Sequence, residues 1–530
     1  MTRPVRLPRA VAYQVPALVL AAILAGCHPA PSVPPDLPAE EAAPLPVTVP
    51  APSAPYQGEM VGEVTQDSAV LQARLAEPRW IPWGDVRGRP GVAAFALSPA
   101  PDFRQAFRTR WMVASPEHDY IVKTRVTGLE PGTRYYYRLL SGPSVDQVQA
   151  GPTGTFRTLD APGTSREVKL AIVTGMNRFA FWATVLLDGA LRQRFLGFPA
   201  LATIVAHGVD FFISTGDSVY YDSPAFNRAK TREAMRAKWH AQFATPRFQV
   251  LFLQVPTYWQ KDDHDYRYDD ADPYGPHEPS AELGAAVFLE QVPLAAPGDP
   301  APRTYRTYRI NDLLQIWLLE GRDFRDPNTK PPGPDKSLWG AEQKAWLQRT
   351  LLESDAVFKV LISPTPMVGV DDLYKGVQGG ILAPFFGGRP LGQGDDPHRR
   401  DSHTTPYGFR QEADAFLAWL VANGFLEKHF YIVCGDRHWQ YHAVHPTGVE
   451  EFSVGALVDG NARRGRRAGD PESTDPEGRI LQPYLQEEAS GGFLELTVRP
   501  PVGGRPAVAE FAFYDEHGTL LYRVEKAAHR

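Results

Sequence analysis

The sequence has 530 residues, which is longer than one hydrophobic core usually organises, so two domains are the first expectation. Its composition, 43% hydrophobic and 22% charged residues, is that of a globular protein. The formal net charge is -6 and there is no dense basic segment, so nothing indicates a nucleic-acid-binding module. No protein partner is predicted.

The N-terminus has the pattern of a secretory signal. Three arginines within the first nine residues precede an apolar run over residues 16–25. The run ends in Leu24-Ala25-Gly26-Cys27, which resembles a bacterial lipobox and implies cleavage before Cys27 and lipid attachment to its thiol. An uncleaved helical anchor is the alternative, but the run is short for a membrane span. We predict a signal peptide over 1–27 and a lipid-anchored protein of the cell envelope, at the outer membrane or facing the periplasm.

Residues 28–56 are predicted to be an extended linker. Ten prolines lie between Pro29 and Pro55, and a segment of this composition cannot build a core. The chain has two cysteines, and lipidation of Cys27 would leave Cys434 without a partner. An exported chain without an internal disulfide must depend on its core and on bound metals for stability.

Residues 57–160 consist of short segments with alternating polar and apolar residues, which is the pattern of β-strands. Residues 69–75 and 120–126 are examples, and Pro131-Gly132 gives a turn before an aromatic strand at 134–139. This segment resembles a fibronectin type III-like β-sandwich, and no catalytic role is predicted for it.

Residues 161–530 have a different pattern, in which strands that are almost entirely apolar alternate with helical segments. This pattern predicts an α/β domain with buried strands. The predicted strands and helices include 170–173, 211–213, 313–319, 340–353, 357–362, 409–421 and 430–434. Alternating strands after residue 491 are predicted to complete the edge of a catalytic sheet.

Acidic residues and histidines follow the ends of the predicted strands in three places. The first group is Gly216-Asp217 with Tyr220, the second is Asp262-Asp263-His264-Asp265, and the third is Gly435-Asp436-Arg437-His438. Carboxylates at this density repel one another unless cations lie between them. A solvated acidic loop is the alternative for residues 262–270, but three such loops together favour a metal site.

These motifs resemble those of the PhoD-like alkaline phosphatases and phosphodiesterases of the metallophosphoesterase superfamily. The resemblance extends from residue 58 to the C-terminus and includes a Gly-x-x-Gln-x-x-Trp-Leu helix at residues 340–347. It implies an N-terminal sandwich followed by a four-layer α/β metallophosphatase domain. It also implies two or more metal ions, expected to be iron with calcium or another divalent metal.

The resemblance assigns roles to individual residues. Asp217 would bridge the metals, Tyr220 would bind iron as a phenolate, and Asp263 would bind the second metal. Asp436 and His438 would be further metal ligands. His264 would face the phosphate as an acid or hydrogen-bond donor.

Two of the departures from the family pattern affect the predicted site residues. Family members usually end the first strand of the catalytic domain with Ser-Cys, and that cysteine binds iron. Here Gly175 takes its place and offers no ligand, so Asn177 or a water is predicted to substitute. The usual Asp-Thr-Arg motif is Glu320-Gly321-Arg322, which leaves Arg322 as a predicted phosphate contact.

The predicted function is therefore metal-dependent hydrolysis of phosphate monoesters or diesters at the cell envelope by a metal-activated hydroxide. The alternative is a catalytically impaired, surface-anchored binding protein on the same fold, which the substitution at Gly175 favours. His403 is predicted to shape the substrate pocket. Residues 368–400, rich in glycine and proline, are long enough to form a lid.

Overall fold

A computed structural model describes residues 57–77, 85–184, 191–300, 302–374 and 398–529. The predicted signal peptide with Cys27, the predicted linker and most of the predicted lid lie outside these ranges. No helix in the described ranges has the length and apolar character that crossing a membrane requires.

The first nine strands lie in the N-terminal part of the chain, where the sequence predicted a β-rich region. They are β1 Glu59–Gly62, β2 Ser68–Arg74, β3 Gly91–Ser98, β4 Phe107–Arg108, β5 Met112–Ala114, β6 Ile121–Thr127, β7 Arg134–Gly142, β8 Gln149–Ala150 and β9 Gly154–Arg157.

The following strands belong to the α/β part and include every strand predicted there. They are β10 Val168–Val173, β11 Phe211–Ser214, β12 Thr257–Trp259, β13 Arg306–Arg309, β14 Leu314–Leu318, β15 Phe358–Ser363, β16 Phe430–Cys434, β17 Gln440–Val444, β18 Glu450–Val454, β19 Leu481–Leu485, β20 Gly492–Arg499, β21 Val508–Asp515 and β22 Leu520–Ala527.

Helices lie between several of these strands, and some begin with a clear sequence signal. Ser280 and Thr231 accept hydrogen bonds from main-chain N–H groups of the first helical turn, as N-cap residues do. The α-helices are α1 Arg178–Ala183, α2 Leu191–Leu196, α3 Pro199–Ala206, α4 Arg232–Phe243, α5 Pro246–Gln254, α6 Ala281–Gln291, α7 Gly340–Glu353 and α8 Arg410–Ala422.

Two large sheets and two groups of helices form four layers. The nine-stranded sheet has the order β22-β21-β20-β10-β11-β12-β1-β2-β6, and the seven-stranded sheet has the order β13-β14-β15-β16-β18-β17-β19. Alternate residues of each strand face opposite layers. In β10, Leu170 and Ile172 join the core between the sheets, whereas Ala171 and Val173 pack against helices. The predicted α/β fold class is confirmed.

The N-terminal strands divide between two sheets that face each other. Strands β3, β4, β5, β7, β8 and β9 form a separate sheet, whereas β1, β2 and β6 continue the nine-stranded sheet. The connection is a parallel pairing of β1 with β12, in which Gly62 is opposite Thr257. Hydrogen bonding therefore crosses the predicted domain boundary at residue 160.

Glu59 of β1 has its side chain buried between these N-terminal sheets. Its Oε2 accepts a hydrogen bond from the Leu139 nitrogen at 3.1 Å, and no partner for its Oε1 lies among the described residues. Burial raises the pKa of Glu59 to about 8, against smaller opposing effects of the Leu139 hydrogen bond and the Arg138 charge. The folded chain therefore keeps a proton that the unfolded chain releases near pH 4.5.

We expect Glu59→Gln to change how stability depends on pH. Because the unfolded chain binds fewer protons than the folded chain between pH 4.5 and about 8, the stability of the parent falls as pH rises through this window. Glutamine does not titrate, so between pH 5 and pH 9 the variant gains on the order of 4 kcal/mol of stability relative to the parent. Urea unfolding at pH 5 and pH 9 measures this, with exposed Glu130→Gln as control. Parallel pH profiles for parent and variant would contradict the assignment.

Candidate metal centre

The three acidic loops meet at the carboxyl ends of strands from both large sheets. Asp217 follows β11, Asp263 follows β12, and Asp436 follows β16 of the facing sheet. Because β11 and β12 are parallel neighbours, their loops leave the sheet side by side. The fold therefore brings together the three loops that the sequence predicted to form one site.

Gly216 allows the first two loops to approach each other closely. Its φ is +102°, and a Cβ at this position would lie 2.5 Å from the Asp262 nitrogen. Only glycine accommodates both this conformation and this contact. The next residue, Asp217, is also in the left-handed region, with a φ of +55°, as is Asp436 with +61°. Two carboxylates of the site are thus held by unusual backbone conformations.

Asp217, Tyr220 and His438 bring three potential ligand atoms together. The Tyr220 hydroxyl donates to Oδ2 of Asp217 at 2.6 Å and lies 3.2 Å from Nε2 of His438. The same Nε2 lies 3.0 Å from Oδ2 of Asp217. Ligands about 2.1 Å from one cation at right angles lie about 3 Å apart, so the set has the spacing of a metal site.

A buried atom without a partner supports the same interpretation. Oδ1 of Asp217 is buried and makes no hydrogen bond within the described part of the chain. Burial, with the charges of Arg463 and His264, lowers the pKa of His438 well below its usual value. Its ring is therefore neutral, as a metal ligand must be. These residues fit a cation.

A second group of carboxylates lies beside this set. Ligand atoms of Asp217, Asp263 and His264 lie within 4.8 Å of one another, and so do those of Asp262, Asp263 and Asp436. Asp263 belongs to both groups, so its position suits a ligand near two cations. The bridging role of Asp217 stays a prediction. Asp262, which was given no role from sequence, is brought into the site.

His264 is held by a carboxylate that the sequence analysis left without a role. Its Nδ1 lies 2.8 Å from Oδ1 of Asp222, and its ring stacks on Tyr220 with centroids 4.2 Å apart. Burial lowers the pKa of His264, but the charges of Asp222, Asp263 and Asp217 outweigh this and raise it well above its usual value. His264 is therefore positioned as a charged proton donor.

Arg322 has a different role from the predicted phosphate contact. Its side chain is fully buried, its Nε donates to Oδ1 of Asp262 at 2.6 Å, and its Nη1 donates to the Ala271 carbonyl at 3.0 Å. It therefore holds the second acidic loop. Glu320 likewise supports that loop through an ion pair with Lys261 at 2.8 Å.

The structure also corrects the prediction for Asn177. Oδ1 of Asn177 accepts a hydrogen bond from the Ala180 nitrogen at 3.0 Å and so caps α1. The side chain that contacts the site beside Gly175 is Asn461, whose Nδ2 donates to the Tyr220 hydroxyl at 2.8 Å. No motif in the sequence marked Asn461, because it lies in a loop far from the three acidic motifs.

His403 lies in the interior and does not form the substrate pocket that the sequence suggested. Its side chain is fully buried, its Nε2 lies 3.0 Å from Oε2 of Glu412, and its ring packs against Trp339. Burial raises the pKa of Glu412, but the hydrogen bond and charge of His403, with Ser337 and Lys344, outweigh this and lower it to about 2. The pair joins α8 to the segment that precedes it, and Glu412 also accepts a hydrogen bond from the Leu338 nitrogen before α7 at 2.7 Å.

Comparison with protein families identifies the chain. The model of the PhoD-like phosphatase family matches residues 189–482, and the model of its N-terminal domain matches residues 47–160. The chain belongs to the PhoD-like phosphatase family. The family assignment predicted from the three acidic motifs is confirmed.

Individual relatives agree with this assignment. A curated relative, alkaline phosphatase D of Bacillus subtilis (strain 168), is 26% identical over 326 residues, or 57% of this chain. That match spans 54% of the relative's own length. A solved structure of PhoD has a TM-score of 0.64 at 19% identity and covers 91% of this chain and 94% of its own.

A purple acid phosphatase from yellow lupin (Lupinus luteus) seeds is more distant. Its structure has a TM-score of 0.50 at 10% identity and covers 88% of this chain and 74% of its own. At these identities the two solved structures show a shared fold.

We expect Arg322→Lys in this PhoD-like chain to weaken metal binding, because lysine cannot bond Asp262 and the Ala271 carbonyl together. Loss of such support typically lowers metal affinity about tenfold or more. Titration of metal-stripped protein measures the effect, with Arg325→Lys as the matched control because Arg325 donates to Gly321 and Asn328. A raised KM with unchanged metal affinity would instead support a phosphate contact.

Proposed function

We propose that this chain hydrolyses phosphate monoesters or diesters with the help of cations held by the candidate metal centre. The observation that carries the proposal is the spacing of Asp217, Tyr220 and His438, whose three ligand atoms lie 2.6–3.2 Å apart and are buried. Asp263 and Asp436 complete the proposed ligands. Membership of the PhoD-like phosphatase family and similarity to a curated alkaline phosphatase D support the reaction class.

Cations in such a site polarise a phosphoryl oxygen and make water nucleophilic at neutral pH. The protein supplies the arrangement around them. Gly216 and the left-handed Asp217 keep the first two loops in contact, while Arg322 and Lys261 hold the second loop against repulsion among its carboxylates. The site is therefore built before the substrate binds.

His264 is the proposed proton donor to the leaving alcohol. Its Nδ1 is bonded to Asp222, which leaves Nε2 as the nitrogen that can deliver a proton. The side chain of His264 is 11% exposed, against 3% for His438, so it is the more accessible histidine of the site. Oδ1 of Asp222 holds the ring of His264, and Oδ2 of Asp222 accepts a hydrogen bond from the Asp269 nitrogen.

Iron together with calcium is the proposed metal content. The donors brought together are carboxylate, phenol and imidazole groups, which suit iron at the site with the histidine and calcium at an all-oxygen site. Asp262, Asp263 and Asp436 form such an all-oxygen group.

We expect the Asp217→Asn variant to lose both bound metal and activity. The substitution removes the negative charge of the carboxylate that belongs both to the set with Tyr220 and His438 and to the group with Asp263 and His264. The test is elemental analysis of the purified chain beside assays with a phosphate monoester and a diester. The proposal predicts near-stoichiometric metal in the parent and a loss of about 100-fold or more in kcat/KM for the variant. The exposed Asp335→Asn change serves as the matched control.

The rival function is a binding protein on the same fold, which Gly175 favours because it offers no side-chain ligand. A parent chain that stays folded, binds no metal after reconstitution and cleaves neither ester would support this rival. Metal bound in the parent without turnover of either ester would also reject hydrolysis.

The pairing of His264 with Asp222 gives a separate prediction that depends on the leaving group. Asp222→Asn should reduce kcat about 100-fold for an alkyl phosphate, whose leaving group needs a proton, and much less for a nitrophenyl ester. His264→Asn should show the same preference, and the double variant should be no worse than His264→Asn. Equal losses on both esters would contradict proton donation by His264.

The proposed location is the cell envelope, with a lipid on Cys27 as the only membrane attachment. The support is the order of arginines, apolar run and Leu24-Ala25-Gly26-Cys27 in the sequence. Labelling of the expressed chain with radioactive palmitate tests this. Label that persists in Cys27→Ser would contradict it.

A further inference from the structure

Hydrogen bonds hold the loop that carries Asn461 against the segment that follows β10. The Leu457 nitrogen donates to the Thr174 carbonyl at 2.8 Å, which ties the loop to the end of β10. A short 3-10 helix, Asp459–Asn461, follows, and Oδ1 of Asp459 accepts from the Gly491 nitrogen at 2.6 Å. The Asn461 side chain therefore projects from a well-held backbone.

The amide of Asn461 has one orientation that satisfies its neighbours. Its Nδ2 lies 3.1 Å from the Gly175 carbonyl oxygen, which can only accept hydrogen bonds. The amide nitrogen must therefore face this carbonyl. Its second hydrogen then points to the Tyr220 oxygen at 2.8 Å. Tyr220 thus receives a hydrogen bond on the atom that would bind a cation.

Gly175 leaves the space in which this amide sits. The φ of Gly175 is +66°, and a Cβ there would lie 3.3 Å from Nδ2 of Asn461 and 2.9 Å from Cα of Ala456. A larger side chain at position 175 would therefore push against the Asn461 loop. The backbone at this point accommodates the amide of Asn461 in place of a side chain of its own.

We propose that Asn461 is a positioning residue of the metal centre, whose amide holds the Tyr220 oxygen and stabilises negative charge on it. This inference rests on the proposed function, because it concerns how the chain presents Tyr220 to a cation. The amide donates to the phenol oxygen without adding a charge to the crowded site. Asn461 thus acts through Tyr220 and does not contact the substrate.

The test uses the full chain, stripped of metal and titrated with Fe³⁺ as the probe. Phenolate bound to Fe³⁺ gives a visible charge-transfer band, which reports the bond to Tyr220 directly, and Tyr220→Phe identifies it. We expect Asn461→Ala to weaken Fe³⁺ binding about tenfold or more. The band should move to longer wavelength, because a phenolate without its hydrogen-bond donor gives up electrons more easily.

Two further variants separate this role from a structural one. Asn461→Leu keeps the side-chain volume but lacks the hydrogen-bond donor, so it should shift the band as Asn461→Ala does. Because there are two variants, the test still works if one of them folds poorly. Asn423→Ala is the matched control, because that amide caps α8 by donating to the Trp419 carbonyl at 2.8 Å. It should leave the band and the affinity unchanged.

An unchanged band and affinity in Asn461→Ala and Asn461→Leu would overturn the inference. It would also fall if the parent hydrolyses esters with bound metal but shows no charge-transfer band, since Tyr220 would then not be a ligand, and the proposed function would still stand. A parent that neither binds metal nor hydrolyses esters would remove the proposed function and this inference together.

Discussion

The repulsion among buried carboxylates at one point of the molecule is the constraint on which the rest depends. Asp217 and Asp263 are buried and Asp436 is half-buried, and loss of solvent around the carboxylates raises the pKa of Asp217 and of Asp436 well above the usual value. Ionised carboxylates so close together need cations or strong donors nearby. Arg322 and Lys261 are the buried cationic partners of the second loop, and Oδ1 of Asp217 and Oδ2 of Asp262 make no hydrogen bond among the described residues. Each of these loops begins at the end of a buried strand, so the four-layer core determines where the loop starts.

The sequence allowed much of this to be predicted, because the relevant signals are local. Apolar runs ending in Gly-Asp located β11 and β16 with their acidic loops, and the helix at residues 340–353 was predicted with its observed bounds. Charge density in the second loop indicated metal binding. These local patterns predict the structure well because a buried strand that ends in a glycine turn leaves few possible orientations for the side chain that follows.

What the sequence could not provide is contact between distant segments. Asn177 is polar and lies near the expected ligand position, yet it caps a helix that starts at the following residue. Asn461 contacts Tyr220 although 241 positions separate them. Arg322 looked available for phosphate because its burial depends on Asp262 and Ala271, which belong to another loop. A polar side chain near a motif can hydrogen-bond to other parts of the protein or can face the site. Its neighbours in the folded structure decide between the two.

The parallel pairing of β1 with β12 also affects how the chain can be assembled. Gly62 finds its partner at Thr257, so nearly two hundred residues must be synthesised before that edge of β1 is covered. Until then the N-terminal strands present open backbone donors and acceptors to other chains. Long-range pairings of this kind slow folding and expose aggregation-prone intermediates. A fragment that ends before β12 would keep this edge open permanently, so the N-terminal sheets are poor candidates for isolation as a free-standing module.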